Sequence, residues 1–573
     1  MTLEELKDKL LAYLHVEQGF NKQDIESQQL MSRDEKIEAG VLLPNITILA
    51  QEDGVFDLHV PNNYSKLRAG DKVIIRAEKE NASKVPAVII DNLIDTITVF
   101  CEKELEHAES YEIEIQSPEL LQALIGCLEG IAPAKPGAAF LRYLASEIPL
   151  EVEEFLHLNP EEISGYMSIF NDLNECQQQA VRSMLDFPPI HVLQGPPGTG
   201  KTKVLAATAI AAAKANREVV IIANTHHAVN NALLKIQEMA PKTAIFKIGE
   251  QLKAEELGDG ILKCGNFKEY SEYCRINRKK KKSGHVVGMT IWGAITFLGL
   301  HQHSHFRPYF ALVDEASQMP LSYASILGKC ASSICLFGDS NQMPPIFRPE
   351  LEGNELSISI LDYCAKVLQA PTVALNTTYR MNEEITRYVS SHFYEPEIVL
   401  QSSEYSANRL FANVAPLRVE KNNIYHEHLL QEQSIIWASY DNILANNATD
   451  YNAHEAKEAA EYVGAALELG LTIEDVAVIT PYRAQVKLIR QYVMEKLSAL
   501  GLDANQLPLI DTVERLQGQD VELIIMSMCT TDRQYFEQNK DFLLNPNRLN
   551  VMISRAKSKV VVIVDNIKVR IIQ

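Results

Sequence analysis

Apolar residues recur at Leu3, Leu6, Leu10 and Leu14, three or four positions apart with charged residues between them, a spacing that predicts one buried face of a helix. From about residue 41 to 115 the period changes. The runs "ITILAQ", "VFDLHV", "DKVIIRAE", "AVIID" and "TITVF" are short and separated by turn residues such as Asp53-Gly54 and Ala69-Gly70-Asp71. Strands this brief and closely spaced predict a small antiparallel barrel or sandwich. Helical spacing returns in "PELLQALIGCLEG" and "AFLRYLASEI", and the acids at 151–162 read as a solvated face or linker.

After about residue 170 apolar strands alternate with helical stretches. One series holds "IHVL" (190–193), "EVVIIAN" (218–224), "FALVDEA" (310–316) and "SICLFGD" (333–339). A second holds "SIIWAS" (434–439), "DVAVITPY" (475–482), "VELIIMSM" (521–528) and "KVVVIVD" (559–565). Strand–helix alternation implies parallel sheets, and two series imply two α/β lobes. The expected organisation is an N-terminal region 1–165 with a barrel at about 41–115 and flanking helices, a first lobe 166–365, and a second lobe 366–573. A polar, mostly helical insertion is expected at about 235–285, where the basic run "RKKKKS" lies.

Charge sharpens this division. The net charge is −21, which by itself disfavours a polyanionic partner. Residues 1–165 carry 31 acidic and 14 basic side chains, however, whereas residues 166–573 carry 44 and 40. The acidity belongs to the N-terminal region, and a nearly neutral body can still hold a basic groove. That acidic region is a candidate for restraint of the body or for docking a protein partner. "MTLEELKDKLL" lacks a basic segment followed by an apolar core, and no apolar run reaches the ~18 residues of a membrane span, so neither secretion nor a membrane is expected. The nine cysteines are scattered, with no pair spaced for structural zinc, and read as reduced thiols of a cytoplasmic or nucleocytoplasmic protein.

Gly195, Pro196, Pro197, Gly198, Thr199, Gly200, Lys201 and Thr202 read G-x-x-x-x-G-K-[ST] between an apolar strand and an alanine-rich helix. Such a loop turns its N–H groups toward phosphate oxygens, aims a lysine at the outer phosphates and offers a hydroxyl to magnesium. ATP and Mg²⁺ are the expected ligands. Asp314 and Glu315, ending a later strand of the same series, suit magnesium binding and activation of the attacking water. Charge developing on the transferred phosphate calls for arginine from elsewhere, and Arg380 in "TTYRMNEE" and Arg555 in "NRLNVMISRAK" stand in the second series.

With these surroundings the chain resembles a superfamily 1 helicase of the Upf-like branch, the group that includes the nonsense-mediated-decay RNA helicases, over about residues 170–570. "LNECQQQAV" resembles that family's Q motif and makes Gln177 the adenine reader. "GPPGTGKT" and "VDEASQ" match its P-loop and acid motif, and "GDSNQMPP" its third motif, with Gln342 as γ-phosphate sensor. "TYRMN" implies Tyr379 stacking on adenine and Arg380 on the phosphates; "DTVERLQGQD" resembles the fifth motif, with Gln517, Gly518 and Asp520, and "RLNVMISRAK" the sixth. The fifth motif departs from the family at Glu514, Leu516 and Asp520, the last one methylene shorter than the usual glutamate, which puts its ribose contact in question.

The resemblance implies two RecA-like lobes and an ATP-dependent helicase or translocase stepping 5′ to 3′ along single-stranded RNA or DNA. Candidate strand contacts are Asn224, Thr225 and His226, Thr290, Pro481 and Tyr482, and Thr512, with Arg278–Lys282 as an added basic footprint. The alternatives are an ATP-regulated clamp or remodelling scaffold that unwinds little, and a P-loop ATPase acting on protein alone.

Overall fold

The computed structural model describes residues 1–38, 41–52, 54–61, 72–79, 82–92, 96–101, 103–115, 120–131, 138–149, 167–186, 188–249, 257–264, 267–279, 284–295, 310–415, 423–441, 448–504, 506–513 and 520–566. The acids at 151–162, Lys280–Lys282 of the basic run, and Gln517 and Gly518 lie outside the described residues. The chain forms two compact units: Met1–Pro133 with Ala294–His303 and Arg348–Leu356, and Ala134–Gly293 with Ser304–Phe347 and Ser357–Gln573.

In the first unit a helix, Leu3–Leu30, opens with a capping box in which Thr2 and Glu5 satisfy each other's backbone N–H groups. Leu3, Leu6, Leu10 and Leu14 are buried, as the spacing predicts. The alternating runs form a closed antiparallel barrel, ordered β1-β2-β5-β4-β3-β6. Its strands are β1 (Leu42–Glu52), β2 (Val55–His59), β3 (Lys72–Ala77), β4 (Val85–Asn92), β5 (Thr96–Cys101) and β6 (Tyr111–Ile115). Phe56, Leu58, Val73, Ile75, Ile89, Ile97, Val99 and Ile113 fill the interior. The sixth strand, "YEIEI", was not among the five runs because two of its positions are acidic. Glu112 pairs with Arg33 and Arg76, and Glu114 with Lys36 2.8 Å away, so both carboxylates are compensated. Later in the chain, Arg348 returns to this unit and holds Asn21 and Asp24 of the long helix.

The second unit carries both lobes. Lobe 1 is an all-parallel sheet of β7 (Ile190–Gln194), β8 (Glu218–Ala223), β9 (Ile245–Ile248), β10 (Leu262–Cys264), β11 (His285–Thr290), β12 (Phe310–Val313), β13 (Ser333–Gly338) and β14 (Thr372–Ala374). Their order is β10-β9-β11-β8-β12-β13-β7-β14. The expected helical insertion is corrected here: it supplies β9 and the edge strand β10, besides a helix at Phe267–Lys279. β14 also extends the sheet past the expected boundary at 365, pairing with β7. A short parallel pair follows, β15 (Thr377–Thr378) with β16 (Gln401–Ser402). Lobe 2 is a second all-parallel sheet of β17 (Ile435–Tyr440), β18 (Val476–Thr480), β19 (Leu509–Thr512), β20 (Val521–Ser527) and β21 (Ala556–Asp565). Its order is β17-β21-β20-β18-β19. β13, β18 and β20 are buried at every position, the pattern of parallel strands covered on both faces. Among the described residues no helix is long and apolar enough to cross a membrane.

Candidate nucleotide site at the seam of the two lobes

Three neighbouring strands of lobe 1 end at one place. β7 runs into the loop Gly195–Thr202, β12 into Asp314 and β13 into Asp339, and the Gly195 N–H donates to the Gly338 carbonyl (2.9 Å). The helix Lys201–Lys214 starts at Gly200 (φ +84°) without a side-chain cap, so its first N–H groups are left for an anion. Gly198 (φ +72°) also sits in the left-handed region, and a Cβ there would lie 2.5 Å from Thr378 Oγ1 and 2.6 Å from Arg380 Cβ. The loop must be bare at this point because the segment leading into lobe 2 presses on it; Tyr379 N–H donates to the Gly198 carbonyl at 2.9 Å.

Beneath the loop, Gln177 is buried and its amide is engaged at both ends: Nε2 donates to the Thr199 carbonyl (2.9 Å) and Oε1 accepts from Asn174 N–H (3.1 Å). Asn174 in turn donates to the Tyr379 hydroxyl (2.8 Å), leaving that ring 42% exposed beside the loop. Gln177 thus fixes the cradle's floor, and Tyr379 presents the open face a base could stack on. Thr199 bonds back to the Pro196 carbonyl (2.7 Å), and Lys201 to the Gly195 carbonyl.

Asp314 is buried and accepts from Glu315 N–H (3.0 Å). Burial and the Glu315 charge push its carboxyl up, while Lys201 opposes the shift. A buried carboxylate beside a second acid, with a threonine hydroxyl at the start of the loop's helix, is a donor set suited to a hard divalent cation. Thr202 and Asp314 are the residues that would hold Mg²⁺. Glu315 adopts φ +53°, a left-handed conformation rare for a residue with a Cβ, and its Oε2 accepts from Gln318 Nε2 (3.2 Å). The strained backbone turns this acid out of the strand direction.

Lobe 2 brings both arginines to the same seam. Arg380 donates to the Ser554 carbonyl (2.9 Å) and pairs with Asp520 (2.6 Å); Arg555 lies 3.8 Å from the same Asp520 oxygen. Burial and the like charge of Arg380 push the Arg555 guanidinium down to about 10, against Asp520 and Glu315, which stabilise its charge. Two guanidinium groups therefore share one carboxylate, and the Nε atoms of both are buried without a hydrogen-bond partner. Such a site gains from an arriving polyanion. Asp520, which the resemblance assigns to the ribose, here serves as their counter-ion.

Gln342 lies at this seam too, donating to Asp339 Oδ2 at 2.8 Å. The sequence reading took only Gln342 from "GDSNQMPP" and missed the residues around it. Asp339 accepts also from Gln194 Nε2 (2.8 Å) and Tyr394 O–H (2.6 Å), and Asn550 Nδ2 donates to the Tyr394 hydroxyl (2.8 Å). Asp339 was legible as a strand-end acid; Tyr394, in "SSHFYEPE", carries no local signal.

The expected nucleic-acid contacts fall on neighbouring strand ends. Asn224, Thr225 and His226 follow β8 and Thr290 ends its partner β11; Pro481 and Tyr482 follow β18 and Thr512 ends its partner β19. Several also have local structural duties. Thr225 caps a helix through Ala228 N–H, Thr290 accepts from Gly293 N–H (3.1 Å), and Asn224 donates to the Gln318 carbonyl (3.1 Å), linking this edge to the acid motif. The Tyr482 ring lies 5.8 Å from Phe542 and 6.2 Å from Tyr535.

Two family models, each described as an AAA domain, match residues 172–396 and 356–567. The chain is similar to the DNA replication ATP-dependent helicase/nuclease JHS1 of Arabidopsis thaliana, 24% identical over 87% of this chain and 37% of that protein. It is likewise similar to the DNA replication ATP-dependent helicase/nuclease DNA2 of Xenopus laevis (25%, 93% and 52%). A third relative is the DNA polymerase alpha-associated DNA helicase A of Schizosaccharomyces pombe (26%, 71% and 66%). The chain thus spans between about a third and two thirds of these relatives' lengths. Among solved structures, the arterivirus nonstructural protein 10 helicase is 11% identical, with 93% of this chain and 80% of that one covered at a TM-score of 0.40. With a phosphate cradle ending one parallel sheet, guanidinium groups supplied by a second, and AAA-domain models matching across both, the chain is similar to ATP-dependent helicases.

Proposed function

We propose that the chain is an ATP-driven motor on single-stranded nucleic acid, of the Upf-like branch of superfamily 1. The observation that carries this reading is the meeting of Arg380 and Arg555 from lobe 2 with the Gly195–Thr202 cradle and the Asp314–Glu315 pair of lobe 1. In that reading Lys201, Arg380 and Arg555 bind the triphosphate, and Glu315 orients or deprotonates the attacking water. Thr202 and Asp314 would hold Mg²⁺, which when bound would neutralise phosphate charge. Loss of the γ-phosphate removes the anion that offsets two close guanidinium charges, so the lobes part, and strand ends on the two sheets exchange their grip. Stepping 5′ to 3′ follows the resemblance.

Of the two polymers, DNA is favoured, since the relatives above are named for DNA replication. The test is ATP hydrolysis by the chain alone, with single-stranded DNA, and with single-stranded RNA. Stimulation by DNA is expected, with translocation along it. Hydrolysis indifferent to both polymers sinks the motor reading, and tight ATP-dependent binding without stepping leaves a clamp.

A further inference from the structure

Asp339, Tyr394 and Asn550 form a buried polar bridge between the lobes. Asp339 ends β13 of lobe 1, whereas the Tyr394 ring, 1% exposed, belongs to the hydrophobic core of lobe 2. Asn550 lies on the helix Pro546–Ile553, which leads directly into Ser554 and Arg555. The proton order follows from chemistry. An ionised carboxylate only accepts, so the Tyr394 hydroxyl donates its hydrogen bond to Asp339 and accepts from Asn550 through a lone pair. Burial pushes both the Asp339 carboxyl and the Tyr394 phenol up, the tyrosine well above its ordinary range, so the phenol keeps its proton; Lys201 and the hydrogen bonds to Asp339 favour its ionised form.

Both amide hydrogens of Asn550 are spent, one within lobe 2 on Tyr394 and one across the seam on the Asn341 carbonyl (2.7 Å). Asn547, one turn earlier, donates to the carbonyls of Ser340 (3.3 Å) and Gln342. The helix that delivers Arg555 is therefore positioned by the loop after β13. That loop holds Gln342, whose Nε2 shares Asp339 Oδ2 with the Tyr394 hydroxyl.

We propose that Tyr394 is a positioning residue that conveys the state of Gln342 to the Arg555 helix. The proposal rests on the ATPase reading above. Two donors compete for one carboxylate oxygen. When Gln342 turns to a γ-phosphate, Tyr394 becomes the sole donor to Oδ2, its bond tightens, and the helix is drawn toward lobe 1 as Arg555 is needed. After phosphate leaves, Gln342 returns to Asp339 and the pull relaxes. The device links nucleotide state to lobe closure without Tyr394 touching nucleotide.

The test uses the full chain with Tyr394→Phe and Asn550→Ala, singly and together. Tyr394→Phe removes one oxygen and keeps the ring that fills the core. The expected result is a fall in kcat for ATP hydrolysis of about tenfold in each single variant, with KM for ATP within about twofold. The double variant is expected to be no slower than the slower single one, since both break one bridge. Wild-type kcat in Tyr394→Phe, a loss confined to KM, or losses that multiply in the double variant would overturn the proposal. A melting temperature that falls while kcat holds would reduce the bridge to packing. An unmutated chain that hydrolyses no ATP refutes the functional reading instead, before any variant is compared.

Discussion

Lobe 1 meets the seam with main chain and carboxylates, whereas lobe 2 meets it with guanidinium groups, and each kind of group is held differently. The lobe 1 parts are loop residues that end three adjacent buried strands, so β-sheet register alone sets their spacing. The lobe 2 parts come from Arg380, Asp520 and Arg555, on three separate segments, and two of them repel. A backbone cradle is stable without ligand because its carbonyl groups have partners. A buried pair of like charges needs a counter-ion, here Asp520, and gains from an anion that replaces it. The comparison teaches that lobe 1 is built to bind and lobe 2 to respond.

The largest expected effect breaks the binding half. Lys201→Ala should abolish hydrolysis, beyond about 10³-fold, and weaken ATP binding as well, because Lys201 also offsets the Asp314 and Asp339 charges. Retained turnover, followed by phosphate release, would remove Lys201 from the centre. Glu315→Gln should slow the chemical step by about 10²–10⁴-fold while ATP affinity holds. An equal loss of affinity would assign this residue to binding.

Asp520→Asn sharpens the responding half. Without a shared carboxylate the arginines repel more strongly, so stability should fall by about 1–3 kcal/mol. KM for ATP should fall, because bare guanidinium groups are freer to take phosphate. A rise in KM would restore Asp520 to the ribose, as the family resemblance has it.

The smallest effect concerns lobe 1 alone. His191 lies buried in β7, its Nε2 3.0 Å from Ser183 Oγ, and burial pushes its imidazole down to about 4. The folded chain keeps this base neutral, so between about pH 6.5 and 4 the unfolded chain binds more protons. Stability from this group is full above that window and falls as pH drops through it, by up to about 3 kcal/mol. Denaturant midpoints of His191→Asn should decline less steeply with acid than those of the unmodified chain; parallel declines would contradict the assignment.

The same contrast explains what was legible in the sequence. The cradle reads as one string because its residues are contiguous, and Asp314 and Glu315 follow an apolar run that could only be a buried strand. Most strands of both sheets announce themselves as apolar runs. β9, β10 and β14 do not: they are three or four residues long, β10 and β14 with exposed or half-exposed positions at the sheet's two edges, and so fell inside an expected helical insertion or beyond an expected boundary. β6 was hidden by Glu112 and Glu114, whose partners lie dozens of residues away. Arg380 and Arg555 could be chosen only through surrounding motifs, since no local pattern says that two distant arginines share Asp520. The Tyr394 bridge was illegible for the same reason: it is a relation between three segments, and each alone is an ordinary polar residue.

The measurement that bears most directly on the seam compares the binding of ADP with that of ADP–aluminium fluoride, a mimic of the transferring phosphoryl group, in the unmodified chain and in Arg555→Ala. If lobe 2 supplies charge for the transition state, the variant should keep its ADP affinity within about threefold and lose at least about a hundredfold toward the mimic. Equal losses for both ligands, or none for either, would contradict the claim that Arg555 completes the cradle of lobe 1.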